Sequence, residues 1–174
     1  MQLASKRKVN TPFGWIIKLW PFSGWGWTCR YCHSELVFSN GEWFSSRDIN
    51  GTAFSVGPPH GDKPEWYDYI NVPMTQAEEE WIMKWCEREL YNTDGSKCKY
   101  DIIGVLLSFL PFPIAWQNSR KWFCSEVCCA ALQVGGWLAG YTPAYMSPLR
   151  LAKFLKDEIY RRNYGILSVF HKRR

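Results

Sequence analysis

The run Lys121-Trp122-Phe123-Cys124-Ser125-Glu126-Val127-Cys128-Cys129-Ala130-Ala131 carries an extended aromatic lead-in into a helix, with a cysteine at the junction. Beyond Cys124 the apolar residues Val127, Ala131 and Val134 recur at helical spacing, whereas Lys121, Trp122 and Phe123 read as extended chain. A cysteine in the first turn of a helix faces unpaired backbone N–H groups and the positive end of the helix dipole, and both favour thiolate over thiol. Cys124 is therefore a candidate nucleophile, and its chemistry needs a base from elsewhere in the chain. Cys128 and Cys129 lie deeper in the same helix, where the dipole has faded and Ala130, Ala131 and Leu132 mark a core face, so they read as packing.

A chain of 174 residues, 47% hydrophobic and 17% aromatic, suits a single domain over 1–174 with a sizeable core and excludes global disorder. Its formal charge of +5 sits at the ends, in Lys6, Arg7 and Lys8 and in a basic tail at about 171–174 that includes Lys172, Arg173 and Arg174; with those six residues set aside the body carries −1. Nucleic acid is not the expected partner, because a phosphate-binding protein would carry its basic residues as a stripe on the folded surface. The first residues show no apolar run behind their charges, so no secretory signal is expected, and seven cysteines then point to reduced thiols in a cytoplasmic or other reducing compartment. The longest apolar stretch, Ile102 to Trp116, is 15 residues and holds Pro111 and Pro113, too short and too broken for a transmembrane segment. Contact with a membrane surface stays open.

Along the chain, residues 1–11 read as a short strand or arm, Pro12 to Trp20 as a helical turn or two, and Ser23 to Trp27 as a loop. His33 to Ser46 has the pattern of a β-hairpin that turns through Ser39-Asn40-Gly41, with Asn40-Gly41 supplying the positive φ angles of a tight turn. Asp48 to Pro64, rich in glycine and proline, reads as a long irregular excursion, and Trp66 to Val72 as a strand. Thr75 followed by Glu78 is a capping box for a helix to Tyr91, with Ala77, Trp81, Trp85 and Leu90 on its apolar stripe. Tyr100 to Leu110 is predicted helical, Gly135-Gly136 stops the helix that Cys124 opens, Ser147-Pro148 starts a last helix to about Arg162, and Gly165 to Phe170 is predicted as a final strand.

Three histidines narrow the search for a base. His60 lies in the proline and glycine loop and His171 in the basic tail, whereas His33 opens a predicted strand that a helix could face. A cysteine nucleophile needs an imidazole within hydrogen-bond reach and a third polar group to orient the ring. On the returning strand Ser45 and Ser46 reach the level of His33, with Ser45 favoured for the third role; Asp48 and Glu35 are carboxylate alternatives, and Glu35, which shares the strand parity of His33, is expected to line the site as an oxyanion or substrate-binding residue instead. Glu126 is expected to bond the backbone at the helix start, since a carboxylate beside the nucleophile opposes thiolate formation. A competing motif overlaps the site: Cys29-Arg30-Tyr31-Cys32-His33 has the form of c-type haem attachment, and its spacing also suits zinc, but no second cysteine pair stands at suitable spacing. No cofactor and no metal are expected.

His33-Ser34-Glu35-Leu36-Val37-Phe38 with Gly41 and Ser45-Ser46, then Lys99-Tyr100-Asp101 with Gly104, then Trp122-Phe123-Cys124-Ser125-Glu126, then Tyr141-Thr142-Pro143, form an ordered set. Over about residues 1–155 this set resembles the permuted papain-like cysteine hydrolases, the YiiX-like branch of the NlpC superfamily, in which histidine precedes cysteine. The resemblance implies an α+β fold, a small antiparallel sheet packed on helices, with the nucleophile at the start of the central helix. It matches Cys124 to the nucleophile, His33 to the base and Ser45 or Ser46 to the orienting group, where better-known relatives place glutamate or histidine. It also implies that Tyr100 reaches the site and helps bind an oxyanion beside the Cys124 N–H. The expected activity is a thiol hydrolase acting on amide, ester or thioester bonds, with a peptide or acyl substrate of cell-wall or lipid origin. The rival from another class is a non-catalytic structural or virion component that keeps the fold.

Overall fold

The computed structural model describes residues 1–9, 15, 30–47, 51–108 and 121–171, apart from the side chains of 60 and 165–171. The expectations for Pro12 to Trp20, Ser23 to Trp27, Asp48 and the Pro111-Phe112-Pro113 stop fall outside them.

Five strands, β1 (Gln2–Lys6), β2 (His33–Val37), β3 (Glu42–Arg47), β4 (Gly51–Val56) and β5 (Tyr67–Asn71), form one antiparallel sheet in the order β4-β3-β2-β1-β5. Its register lines up Ile70, Leu3, Leu36, Phe44 and Phe54 as one row across all five strands. Leu3, Leu36 and Phe44 are fully buried there, and each such side chain contributes about 1.5–3 kcal/mol through removal from water. The helices packed on the sheet are α1 (Gln76–Arg88), α2 (Ile102–Ser108), α3 (Cys124–Val134) and α4 (Pro148–His171). Val127, Cys128, Ala131 and Leu132 of α3, Ile82 and Cys86 of α1, and Leu151 and Leu155 of α4 join the row in the main core. Two short parallel strands, β6 (Lys99–Tyr100) and β7 (Lys121–Trp122), bring α2 alongside the entry to α3.

The hairpin between β2 and β3 turns through three residues. Phe38 and Glu42 close it (N···O 2.8 Å), Gly41 N–H donates to Phe38 O at 3.0 Å, and only Gly41 takes positive φ, at 87°. Asn40 instead uses its side chain, accepting from Glu42 N–H at 3.0 Å. The tip is tied to α1 by Ser39 N–H donating to Glu79 Oε1 at 2.5 Å.

Three other expectations need correction. Thr52 to Val56 belong to a strand, because every residue of β4 from Gly51 to Val56 has a partner on β3; glycine at its start permits φ of 62° against the Cys98 carbonyl. In α1 the capping box forms as expected, with Glu78 N–H to Thr75 Oγ1 at 3.3 Å and Thr75 N–H to Glu78 Oε2 at 2.7 Å. The buried stripe of α1 is nevertheless Glu79, Ile82 and Cys86, while Trp81 is 69% exposed and the helix ends at Arg88. Finally, Gly165 to Phe170 continue α4, which is capped by Ser147 Oγ accepting from Arg150 N–H at 3.3 Å and runs to His171.

Candidate functional site

Two local features place Cys124. The parallel pair β6–β7 sets Tyr100 beside Trp122, and the chain then turns through Phe123, in extended conformation (φ −103°, ψ 163°), into α3. Phe123 has no oxygen with which to cap the helix, so Glu126 supplies half of a capping box, its Oε2 accepting from Phe123 N–H at 3.4 Å. Gly136, at φ 75°, ends the helix in the left-handed conformation, with Gly136 N–H to Gln133 O at 2.9 Å and Trp137 N–H to Leu132 O at 3.0 Å.

The start of α3 packs on β2, where Cys124 is fully buried and meets His33 within hydrogen-bonding reach. The Ser34 N–H and the Tyr100 hydroxyl also stand near enough to the Cys124 sulfur to favour its ionised form. On the other side of the imidazole, His33 Nε2 lies 3.0 Å from Glu35 Oε1, and Glu35 Oε2 lies 2.8 Å from Arg47 Nη2. Arg47 in turn donates to Ser55 Oγ at 2.9 Å. A continuous polar chain therefore runs from the helix terminus through the sheet: Cys124, His33, Glu35, Arg47. Glu35 is fully buried, whereas the His33 side chain is 18% exposed.

Charge on each member is set by its neighbours. Burial works against an imidazolium at His33, but the Cys124 thiolate, the hydrogen bond to it and the Glu35 carboxylate outweigh that cost and hold the ring up to about 10. Burial likewise opposes a thiolate at Cys124; the facing His33 charge and hydrogen bond, with the Ser34 N–H and the Tyr100 hydroxyl, bring it below an ordinary thiol. Glu35 also sits below the usual carboxylate range, because His33 and then Arg47 outweigh its burial. A thiol whose ionised form is favoured by an imidazole that a carboxylate anchors is arranged to attack an electrophilic carbon, with the ring passing a proton to what leaves.

The remaining cysteines have other surroundings. Burial pushes Cys128 well up, with the Cys124 and Glu35 charges adding to it, and Cys129 up to about 12, with Glu126 adding to it. Cys32 is buried against Tyr100, Val105 and Phe123, its sulfur bonded to the carbonyls of Lys6 and Lys8 at 3.5 and 3.7 Å. Cys29 lies outside the described residues, and among the described residues no group of three or more His, Cys, Asp or Glu side chains could hold a metal ion. Nor is any described helix long and apolar enough to cross a membrane.

The two serines stand elsewhere than beside the imidazole. Ser45 Oγ donates to Ser34 O at 2.7 Å, and Ser46 Oγ donates to Trp122 O at 2.6 Å, tying β3 to the strand before Cys124. Asp48 lies outside the described residues, as do the side chains of His60 and His171. The polar group on His33 is Glu35. Arg47 was not singled out from the sequence; the available signal was a glutamate alternating with Ser34 and Leu36 in a buried strand, which needs a cation nearby.

Behind the site, Lys6, the cross-strand partner of His33, pairs with Asp62 (Nζ···Oδ2 2.5 Å), and Tyr67 donates to the same oxygen at 2.7 Å. Below Cys124, burial and the nearby Asp101 and Cys124 charges push Glu126 up to about 8 despite its bond from Phe123. Comparison of the chain with protein-family models, with curated proteins and with solved structures yields no match.

Proposed function

We propose that the chain is a cysteine hydrolase of the permuted papain-like kind, acting on an amide, ester or thioester carbonyl. The observation that carries this is the contact chain from Cys124 through His33 to Glu35 at the start of α3. Two further features support it: a histidine-bearing strand that precedes the cysteine-bearing helix in the chain, and Tyr100 delivered to the sulfur by the β6–β7 pair.

In the first half-reaction the Cys124 thiolate attacks the carbonyl carbon, forming a C–S bond and a tetrahedral oxyanion. The Cys124 backbone N–H, with Tyr100 O–H beside it, stabilises that oxygen. Collapse of the intermediate breaks the bond to the leaving nitrogen, oxygen or sulfur, which takes the proton from the His33 imidazolium. In the second half the now neutral His33 accepts a proton from water as the oxygen attacks the thioester, and expulsion of Cys124 as thiolate restores the ion pair. Glu35 holds the ring and favours its protonated form, the orienting role that sequence spacing assigned to Ser45.

The test compares wild type with Cys124→Ala and His33→Ala by ultraviolet thiolate absorbance across pH and by intact mass after exposure to an activated acyl ester. Hydrolase function requires a thiolate signal at neutral pH that both substitutions abolish, and a transient acyl adduct on Cys124. An ordinary thiol titration together with no adduct would sink the proposal.

A further inference from the structure

We infer that Ser45 and Cys128 are positioning residues, which together clamp the Ser34 carbonyl and so hold the Ser34 N–H on the Cys124 sulfur. This rests on the hydrolase function proposed above and assigns two residues to the same site.

Ser34 is gripped at both of its backbone polar groups. Its carbonyl receives Ser45 Oγ at 2.7 Å and the Cys128 sulfur at 3.6 Å, and its N–H stands near enough to the Cys124 sulfur to favour the ionised form. Cys124 and Cys128 are one helical turn apart on the same face, so a single helix, α3, meets both backbone polar groups of one strand residue. Ser45 brings in the neighbouring strand β3 and meets Cys128 as well. The result is a three-element joint centred on the residue that follows His33.

The joint accounts for two side chains that are otherwise unexplained. Ser45 is fully buried yet points its hydroxyl at a backbone carbonyl rather than at the imidazole. Cys128 is a buried thiol that can donate only while it keeps its proton, and its burial, with the negative charges of Cys124 and Glu35, keeps it protonated. The side chain of Ser34 does not share in the joint. Its hydroxyl, and that of Ser5 directly opposite on β1, are buried without a hydrogen-bond partner, so it is the carbonyl of Ser34, not its side chain, that ties β2 to β3 and α3 here.

The backbone N–H matters to the chemistry because a donor aimed at sulfur favours thiolate, and its value falls steeply as the geometry loosens. Removal of the clamp should therefore raise the pH midpoint of Cys124 while leaving the His33–Glu35 contact in place.

The experiment measures the Cys124 midpoint from thiolate absorbance, with Cys124→Ala as baseline, in wild type, Ser45→Ala, Ser45→Thr and Cys128→Ala, each checked by circular dichroism and thermal unfolding. Ser45→Ala should raise the midpoint by about half to one pH unit, the worth of one buried hydrogen bond. Ser45→Thr, which keeps the hydroxyl, should restore it, and Cys128→Ala should raise it by less, because S–H is the weaker donor. A lowered unfolding temperature with an unmoved midpoint in both alanine variants would reduce Ser45 and Cys128 to packing and overturn the inference, with the hydrolase function intact. An ordinary thiol midpoint in wild type would overturn both. If Ser45→Ala does not fold, Cys128→Ala decides: an unmoved midpoint there refutes the clamp.

Discussion

His33 Nε2 and Glu35 Oε1 stand 3.0 Å apart on the same strand, two residues from each other. The proposed base and its orienting group therefore share one backbone, and shifts between strands or of the helix leave their relationship unchanged. Alternation along β2 puts both side chains on one side, so the pairing follows from strand geometry.

Glu35→Gln should keep the shape of the side chain and remove its charge. The His33 midpoint then falls from about 10 toward the usual imidazole value, because a raising influence is lost. With less imidazolium the thiolate is less favoured, and acylation of Cys124 at neutral pH should slow by about tenfold, consistent with a loss near 1.4 kcal/mol. Histidine proton-exchange shifts by NMR and acylation rates check the two halves separately.

Arg47→Met should leave the buried Glu35 carboxylate without its second partner, at a cost of about 3–5 kcal/mol in urea unfolding near neutral pH. Glu35 is held below its ordinary range, so the stability it contributes is present above that range and is lost as pH falls through its folded value. The difference between Arg47→Met and wild type should accordingly shrink in acid. A constant difference at all pH values would assign the effect to lost packing of the arginine stem.

Glu126 gives the opposite sign. Its carboxyl is raised to about 8, so the folded protein retains a proton that the unfolded chain releases, and stability declines as pH rises from the ordinary carboxylate value of 4.5 toward 8. Glu126→Gln keeps an acceptor for Phe123 N–H and removes the titration. Thermal melts should show the variant near wild type in mild acid and more stable than wild type above pH 8. An equal slope in both proteins would count against the buried neutral acid.

Gly51→Ala and Gly41→Ala both place a side chain at positive φ, yet their costs should differ. A Cβ at Gly41 meets nothing within 4 Å, so its cost is the left-handed conformation alone, about 1–2 kcal/mol. A Cβ at Gly51 would fall 1.8 Å from the Cys98 carbonyl oxygen, where backbone must move, and the loss should exceed about 3 kcal/mol. Thr52 N–H bonds that same carbonyl at 3.2 Å, and Cys98 leads into β6 and Tyr100. Gly51→Ala should thus also reduce acylation of Cys124, whereas Gly41→Ala should leave it unchanged.

Much of the site's outline was legible where a local rule acts on adjacent residues. The Thr75–Glu78 box, the Gly135-Gly136 stop and the extended-to-helix corner at Cys124 each depend on a few neighbouring side chains, and all three form. The turn at Ser39-Asn40-Gly41 was legible in place and length, but positive φ falls on Gly41 without Asn40, since Asn40 satisfies its neighbour by a side-chain bond. β4 was hidden because Gly51 and the Gly57-Pro58-Pro59 run carry loop composition, while the strand between them is defined by its partner on β3. The burial of Ile82 in preference to Trp81 is likewise a tertiary choice, made by where α3 packs on α1. The same holds for the partner of His33. Strand parity admitted Glu35, but parity cannot say that a buried carboxylate will find Arg47, or that the Ser45 hydroxyl will turn to a carbonyl.

The strand order β4-β3-β2-β1-β5 puts the strand that comes first of the five in the chain at an inner position of the sheet, bonded on one side to residues 33–37 and on the other to residues 67–71. During synthesis the two edges of β1 are therefore satisfied at different times, and the second stays open until some 65 further residues have emerged. Cys124 follows later still in the chain, at the start of α3. Such long-range pairing slows folding. The chain also sets an order of synthesis: all five strands of the sheet, with His33 among them, are made before Cys124 is.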